Sequence, residues 1–337
     1  MTASKKIGQQ TIAFSNPPVI VSTATVVGPE EGSGPLAAFF DKILDDDRYG
    51  EKTWEKSERR MLEDTMKMCL QKGGVQETDV DYMLAGDLLN QIVSANYTAK
   101  VLGIPFLGLY GACSTMYESM ALGAMLIDGG FAEYVLVGTG SHYATAERQF
   151  RLPVEQGAQR TLTAQRTVTG TGAMLLASQG QGPRITHATV GKVIDLGQSD
   201  PMDMGAAMAP AAADTLATHL KDIAGEPSAY DLIITGDLGV YGKKLTLELT
   251  KQKGMDIKDN YTDCGILIYS PDQDTHAGGS GCGCSAVVTC GHIFKQLQAG
   301  KLKRVLGIGT GALLSPLTTG QGESIPGIGH AVAMETA

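Results

Sequence analysis

Apolar and polar positions run through this chain with two alternating periods. Val19 to Val27 is rich in β-branched residues and predicts a strand. From Thr53 to Leu70 the period is helical, with Trp54, Met61, Leu62, Thr65, Met66 and Leu70 on one side and Gly73-Gly74 to end it. Tyr82-Met83-Leu84-Ala85 predicts a short strand, after which Gly86-Asp87 turns the chain into a helix running to about Leu102. Pro105 to Leu109 predicts a buried strand, then a tight glycine turn and a helix from Ser114 to the Gly129-Gly130 pair, where a left-handed C-cap is expected. Between Ser114 and Ile127 only Glu118 carries a formal charge, and a helix apolar on nearly every face belongs inside a large core. Tyr134 to Gly138 predicts the next strand. Residues 141–167 are polar and break the pattern. Val168 to Ser178 and Arg184 to Val193 then predict an antiparallel pair around a turn at Gly180–Gly182.

The second half repeats the first. Tyr230-Asp231-Leu232-Ile233-Ile234-Thr235-Gly236-Asp237-Leu238 echoes Val80-Asp81-Tyr82-Met83-Leu84-Ala85-Gly86-Asp87-Leu88. Gly111-Ala112-Cys113-Ser114 precedes Gly138-Thr139-Gly140, and Cys282-Gly283-Cys284-Ser285 precedes Gly309-Thr310-Gly311. The spacing from Cys113 to Gly138 equals that from Cys284 to Gly309, 25 positions in each case. Two copies of one α/β unit, residues 1–180 and 181–337, account for both observations.

Composition narrows the function. The 337 residues carry a net charge of −9 with no basic stripe, which argues against a nucleic-acid partner. No run approaches the length of a membrane helix and no signal-peptide pattern opens the chain, so an intracellular, soluble protein is expected. None of the six cysteines forms a C-x-x-C pair, which leaves zinc and redox-disulfide roles without support.

Cys113 is the first candidate for chemistry. The predicted strand–turn–helix places its sulfur at a helix N-terminus, where unpaired N–H groups and the helix dipole favour an anion and would raise the thiolate fraction. The other reading is that Cys113 is a small buried hydrophobe, the usual fate of a free cysteine.

A duplicated α/β unit with a helix-terminal cysteine in its first half resembles the thiolase superfamily. Within it, Asp87-Leu88-Leu89-Asn90-Gln91, Gly111-Ala112-Cys113-Ser114-Thr115, Ile127-Asp128-Gly129-Gly130-Phe131-Ala132, Ala144-Thr145-Ala146-Glu147-Arg148-Gln149-Phe150-Arg151, Met208-Ala209-Pro210-Ala211-Ala212-Ala213-Asp214-Thr215 and Ala277-Gly278-Gly279-Ser280-Gly281-Cys282 resemble the stage V sporulation protein AD family, from about Gln10 to Glu335. The resemblance implies a five-layer αβαβα fold, a homodimer, and a role in endospore formation. It further implies binding of dipicolinic acid, or its calcium chelate, and support of its uptake into the spore beside integral membrane proteins. The implied location is the cytoplasm of the sporulating cell, with peripheral association at the forespore inner membrane. No cofactor is implied.

Condensing members of the superfamily need His with Asn, or a second His, beside the cysteine to stabilise the enolate and manage its proton. Here the matching loops are Gly236-Asp237-Leu238-Gly239-Val240-Tyr241 and Gly278-Gly279-Ser280-Gly281-Cys282-Gly283, with neither. His276 is offset from the motif. The expectation is a non-catalytic binding protein. The alternative is a Cys113-dependent acyltransferase or condensing enzyme like β-ketoacyl synthase III, and a third reading is a purely structural partner of membrane proteins.

Dipicolinate is a flat ring with two carboxylates and asks for donors on both sides. The amides of Ser114 and Thr115 behind Cys113 are candidates for one carboxylate, and Arg148 or Arg151 for the other, with His142 on the same loop. Arg160 and Arg166 read as surface or interface ion pairs, and structural pairing is an equal reading of Arg148 and Arg151. Asp87 and Asn90 either line the pocket or cap the next helix. No calcium-loop motif is present, and Asp45-Asp46-Asp47 reads as a solvated charge run.

Overall fold

The computed structural model of the chain describes residues 5–150 and 160–336. Ten strands form the framework of the described residues: β1 (Val19–Val27), β2 (Tyr82–Asp87), β3 (Phe106–Gly108), β4 (Tyr134–Ser141), β5 (Gly170–Ala177), β6 (Arg184–Thr189), β7 (Leu232–Thr235), β8 (Tyr261–Asp263), β9 (Arg304–Ala312) and β10 (Gly327–Glu335). They are ordered β1-β5-β4-β2-β3 and β6-β10-β9-β7-β8. The directions repeat as well. β2 is parallel to β3 and β4, while β5 is antiparallel to β4 and β1. In the same way β7 is parallel to β8 and β9, while β10 is antiparallel to β9 and β6. The two sets touch where Arg184 pairs with Val19.

This order corrects one expectation. β5 and β6 do not pair with each other, because β1 lies between them. Each half closes its last strand onto its own first strand, so the Gly180–Gly182 turn, with φ of 145° and 146° at its glycines, is a passage between units and not a hairpin.

The helices that matter are α1 (Trp54–Gly73), α2 (Val93–Leu102), α3 (Thr115–Asp128), α4 (Tyr143–Phe150), α5 (Met204–Asp222), α6 (Gly239–Gln252) and α7 (Cys282–Val287). The last continues through a π-helical turn (Val288–Ile293) into Phe294–Gln298. α1 and α2 cover the outer face of the first sheet, and α5 packs with α6 on the outer face of the second. α3 touches strands of both sheets, and α7 lies beside it, so the five layers read αβαβα.

The period-2 rule assigns the layers. On β4, Val135 and Val137 join α3 and α7 in the central core, while Leu136 joins Leu62, Met66 and Leu70 of α1 outside. On β9, Val305 faces the centre and Leu306 and Ile308 face Leu216 and Leu220 of α5. Both faces are buried, which is why these strands read as continuous apolar runs. Tyr117 of α3 is fully buried against β9, where a Cβ added at Gly307 would meet its ring and hydroxyl 2.2 Å away.

α1 is capped as its ends predict: the Thr53 hydroxyl accepts from Lys56 N, and Gly74 closes the helix at φ 67°. Two local expectations fail. β3 is an edge strand with Leu107 and Gly108 exposed, because its only strand partner among the described residues is β2. Gly86 and Asp87 stay inside β2, and α2 starts only at Val93, after a turn with Gln91 at φ 61° and Ile92 at φ 46°. The polar stretch also contains α4, a helix absent from the sequence reading. No helix of the described residues is long and apolar enough to cross a membrane.

Candidate functional site

The turn before α3 sets the site. Ala112 takes φ 48°, a conformation that costs an L-residue energy and clusters at functional sites. The kink is held by Ser114 N and Ser114 Oγ donating to Gly111 O, at 3.0 and 2.6 Å, and by Thr115 Oγ1 donating to Ala112 O at 2.7 Å. The Ser114 and Thr115 amides are thus used within the turn. They do not face an anion, contrary to the expectation, and both side chains are fully buried. Cys113 alone of this turn's three polar side chains reaches the cleft.

What faces the thiol is Asp237, on the loop after β7. Asp237 Oδ1 accepts from Thr310 Oγ1 at 2.7 Å, and Oδ2 accepts from Gly281 N at 2.9 Å and Ser280 Oγ at 3.2 Å. Burial pushes the Asp237 carboxyl up to about 6, against which these donors and the Cys113 thiol pull it down. Burial, then the Asp237 charge, holds the Cys113 thiol well above the ordinary cysteine range, while the Gly281 N–H favours the thiolate. The expected thiolate is therefore overturned: a helix dipole acts through one turn, but desolvation and an adjacent carboxylate outweigh it.

Cys113 ends a cleft of about 350 Å3. One wall is Asp87 to Ile92, a second is Ala146, Gln149 and Phe150 of α4, a third is Ala312 to Pro316, and Ser280-Gly281 and Tyr110 complete it. Among the described lining residues there is no Lys, Arg or His. Asp87 and Asn90 line the cleft, so three of the candidates, with Cys113, come together. Asp87 also caps α2, accepting from Leu89 N at 2.9 Å and Ala95 N at 2.8 Å, so both readings of it hold. Burial raises its carboxyl to about 6.

The remaining candidates lie elsewhere. His142 is fully buried, with Nε2 2.9 Å from Asp47 O and its ring against Trp54. Burial holds its pKa down. Arg148 is exposed, paired with Glu55 at 2.8 Å, and lines a shallow recess that shares Leu89, Asn90 and Gln149 with the cleft. Arg151 lies outside the described residues. Arg160 pairs with Asp274 at 2.9 Å, and Arg166 stacks on Tyr143 with its guanidinium 4.2 Å from the ring centre. His276 pairs with Asp274 and does not line the cleft. Asp46 is no bare charge, since its Oδ1 accepts from Arg48 N and Tyr49 N.

Sequence reasoning missed Glu58. It is fully buried on α1, its Oε2 accepting from Thr145 Oγ1 of α4. Burial and then Asp87 raise its carboxyl well above the usual range. The signal was available: Glu58 precedes Met61 and Leu62 by three and four positions, so it sits on the apolar face of its helix. The wall at Ala312–Pro316 carried no comparable signal. Among the described residues no group of three or more His, Cys, Asp or Glu is arranged to hold a metal ion.

Two equally ordered sheets around a pair of central helices, one of them preceded by a cysteine that faces a cleft, define a thiolase-type fold. Solved structures agree. 3-Oxoacyl-[acyl-carrier-protein] synthase III from Aquifex aeolicus superposes with a TM-score of 0.60 over 94% of this chain and 99% of its own, at 13% identity. Human mitochondrial 3-ketoacyl-CoA thiolase superposes with a TM-score of 0.58 over 96% and 99%, at 15% identity. At this identity the likeness concerns the fold. The family model for stage V sporulation protein AD (SpoVAD) matches residues 8–335. Stage V sporulation protein AD of Bacillus subtilis (strain 168) is 52% identical over 333 residues, 99% of this chain and 98% of that protein. The chain belongs to the stage V sporulation protein AD family.

Proposed function

We propose that this sporulation protein is a binding module that takes dipicolinate, as the free acid or its calcium chelate, into the cleft ending at Cys113 and supports its uptake into the developing endospore. The observation that carries the reading is Asp237 against the thiol. A carboxylate there opposes both a thiolate and the oxyanion of a condensation, and oxyanion donors contribute several kcal/mol to such reactions. A cleft of about 350 Å3 suits a small planar ligand. Arg151 follows cleft-lining Phe150 in sequence and remains the candidate cation.

Homodimerisation is part of the same proposal. The free edge of β3, with Leu107 at 47% exposure and Tyr110 at 64%, supports a self-complementary interface, and so do Tyr97 and Val101 of α2 at 44% and 50%. Peripheral attachment to integral membrane proteins of the spore inner membrane completes it.

Isothermal titration with dipicolinate, with and without calcium, and with acetyl-CoA in parallel, tests the reading. Saturable dipicolinate binding that survives Cys113→Ala and weakens in Arg151→Ala is expected. An acyl adduct on Cys113 with silence toward dipicolinate would sink it and leave an acyl-transfer enzyme.

A further inference from the structure

The described wall of the cleft carries one carboxylate and no base, and further acids lie behind it. Asp87 lines the cleft. Behind it Glu58, fully buried, receives one hydrogen bond at Oε2 and has no hydrogen-bond partner at Oε1 among the described residues. The groups that act on Glu58 are Glu55 on its own helix, Asp87 on β2, Thr145 on α4 and Ser94 on α2, with Cys282 of α7 also within the field of the pair. Across the cleft, Asp237 is surrounded by Cys113, Cys264, Cys282, Cys284 and Asp263. Every titratable group in these two sets is an acid.

An anion entering such a cleft meets negative charge with no described counter-cation, and two buried carboxylates within each other's field do not both ionise readily. A carboxyl oxygen buried without a donor is where a proton can sit.

We propose that the cleft takes up its dicarboxylate together with a proton, which passes from solvent onto the Glu58–Asp87 pair as the ligand enters. The proposal rests on the reading of the cleft as a dicarboxylate site. In the free protein burial and the charge of the neighbouring carboxyl favour a proton on the pair. The incoming charge raises its proton affinity, so that a second is bound and the complex gains less negative charge than the ligand brings. Glu58 acts through Asp87 and is a positioning residue, not a contact of the ligand. Burial raises both carboxyls, which agrees with the geometry.

The test is titration of the full chain with calcium-free dipicolinate at pH 6, 7 and 8, each in two buffers of different ionisation enthalpy. Dipicolinate is a dianion throughout this range, so any proton exchanged belongs to the protein. Uptake of about half to one proton per ligand is expected at pH 7–8, with affinity falling by up to about tenfold per pH unit there. In Glu58→Gln, ligand binding should persist while proton uptake falls. A pH-indicator measurement on the unmodified protein gives the same number without a variant. Equal heats in both buffers and an affinity flat with pH would overturn the proposal while leaving the binding reading standing. Unchanged proton uptake in a folded Glu58→Gln would remove Glu58 from it. No binding at any pH would remove both readings.

Discussion

The two halves contain corresponding Cys-Ser strings and use them differently. In the first, Gly111-Ala112-Cys113-Ser114 folds as a single 3-10 turn ahead of α3, and Cys113 stands at the helix entrance, 5% exposed, facing the cleft. In the second, Gly281 takes φ 93° and the helix starts at once with Cys282. Cys284 therefore lies within α7 and is wholly buried. The aspartates differ in the same way. Asp87 uses its carboxylate on the amides that open the next helix. In the second half Asp263 takes Leu238 N and Gly239 N, the latter matching Leu89 N, which leaves Asp237 to face the thiol. Duplication reproduced the scaffold. Where each helix begins, and which acid caps it, decided that one copy would carry a site.

The largest test of this comparison is Gly307→Ala. By strand register the equivalent position in the first half is Val137, a side chain of the central core, whereas Gly307 leaves that space to Tyr117 between the sheets. A methyl group there overpacks a rigid contact and should destabilise by about 2–3 kcal/mol, read as a lowered midpoint in urea or heat. An unchanged midpoint would mean that Tyr117 does not key α3 to the second sheet.

Next is Asp237→Asn. At pH 8 the iodoacetamide reaction of Cys113 should accelerate by about tenfold or more, since removing an adjacent negative charge lowers a thiol pKa by about one unit or more. Mass spectrometry of the labelled peptides should show Cys284 unreactive in both proteins. Equal labelling of Cys113 before and after the change would deny Asp237 its restraining role.

The smallest effect is the pH dependence of stability. Burial raises Glu31 and Asp263 to about 7, and Asp87 and Asp237 to about 6. A carboxyl with a raised folded pKa binds more protons in the folded state, so stability falls as pH rises from the unfolded value through the folded one. Burial also lowers His219 to about 3 and His330 to about 4, and these groups gain stability as pH rises toward 6.5. The two opposing sets overlap below that point. Between pH 6.5 and 8 the carboxylates act, joined toward pH 8 by the buried thiols, whose raised pKa values carry the same sign, and stability should decline by on the order of 1 kcal/mol. Thermal melts across that interval that rise with pH would contradict the buried-acid assignment.

Much of the fold was legible in the residues. α1, α3 and the strands at Val19, Tyr82 and Tyr134 follow their periodicity, and the repeat at Cys113 and Cys284 appears as two sheets of one order. α4 was hidden because Thr145 and Glu147 are polar yet buried; Thr145 is satisfied there by Glu58 of a distant helix, which local pattern does not report. The pairing of β5 with β6 fails because adjacency in sequence does not set adjacency in the sheet, where β1 lies between them. Of the site, Cys113, Asp87 and Asn90 converge, while His142 and Arg148 are drawn to Asp47 and Glu55 on other segments.

Alone, the sequence determined the family, the duplication, the alternation of strands and helices, and the cysteine at the head of the central helix. Those depend on local periodicity, glycine placement and motif identity, which residues carry within a few positions. Only the tertiary structure decided the state of that cysteine and the acidity of its cleft. Burial and the approach of Asp237 and Glu58 arise where segments far apart in the chain close on one another, and an electrostatic environment belongs to that packing, not to any stretch of residues.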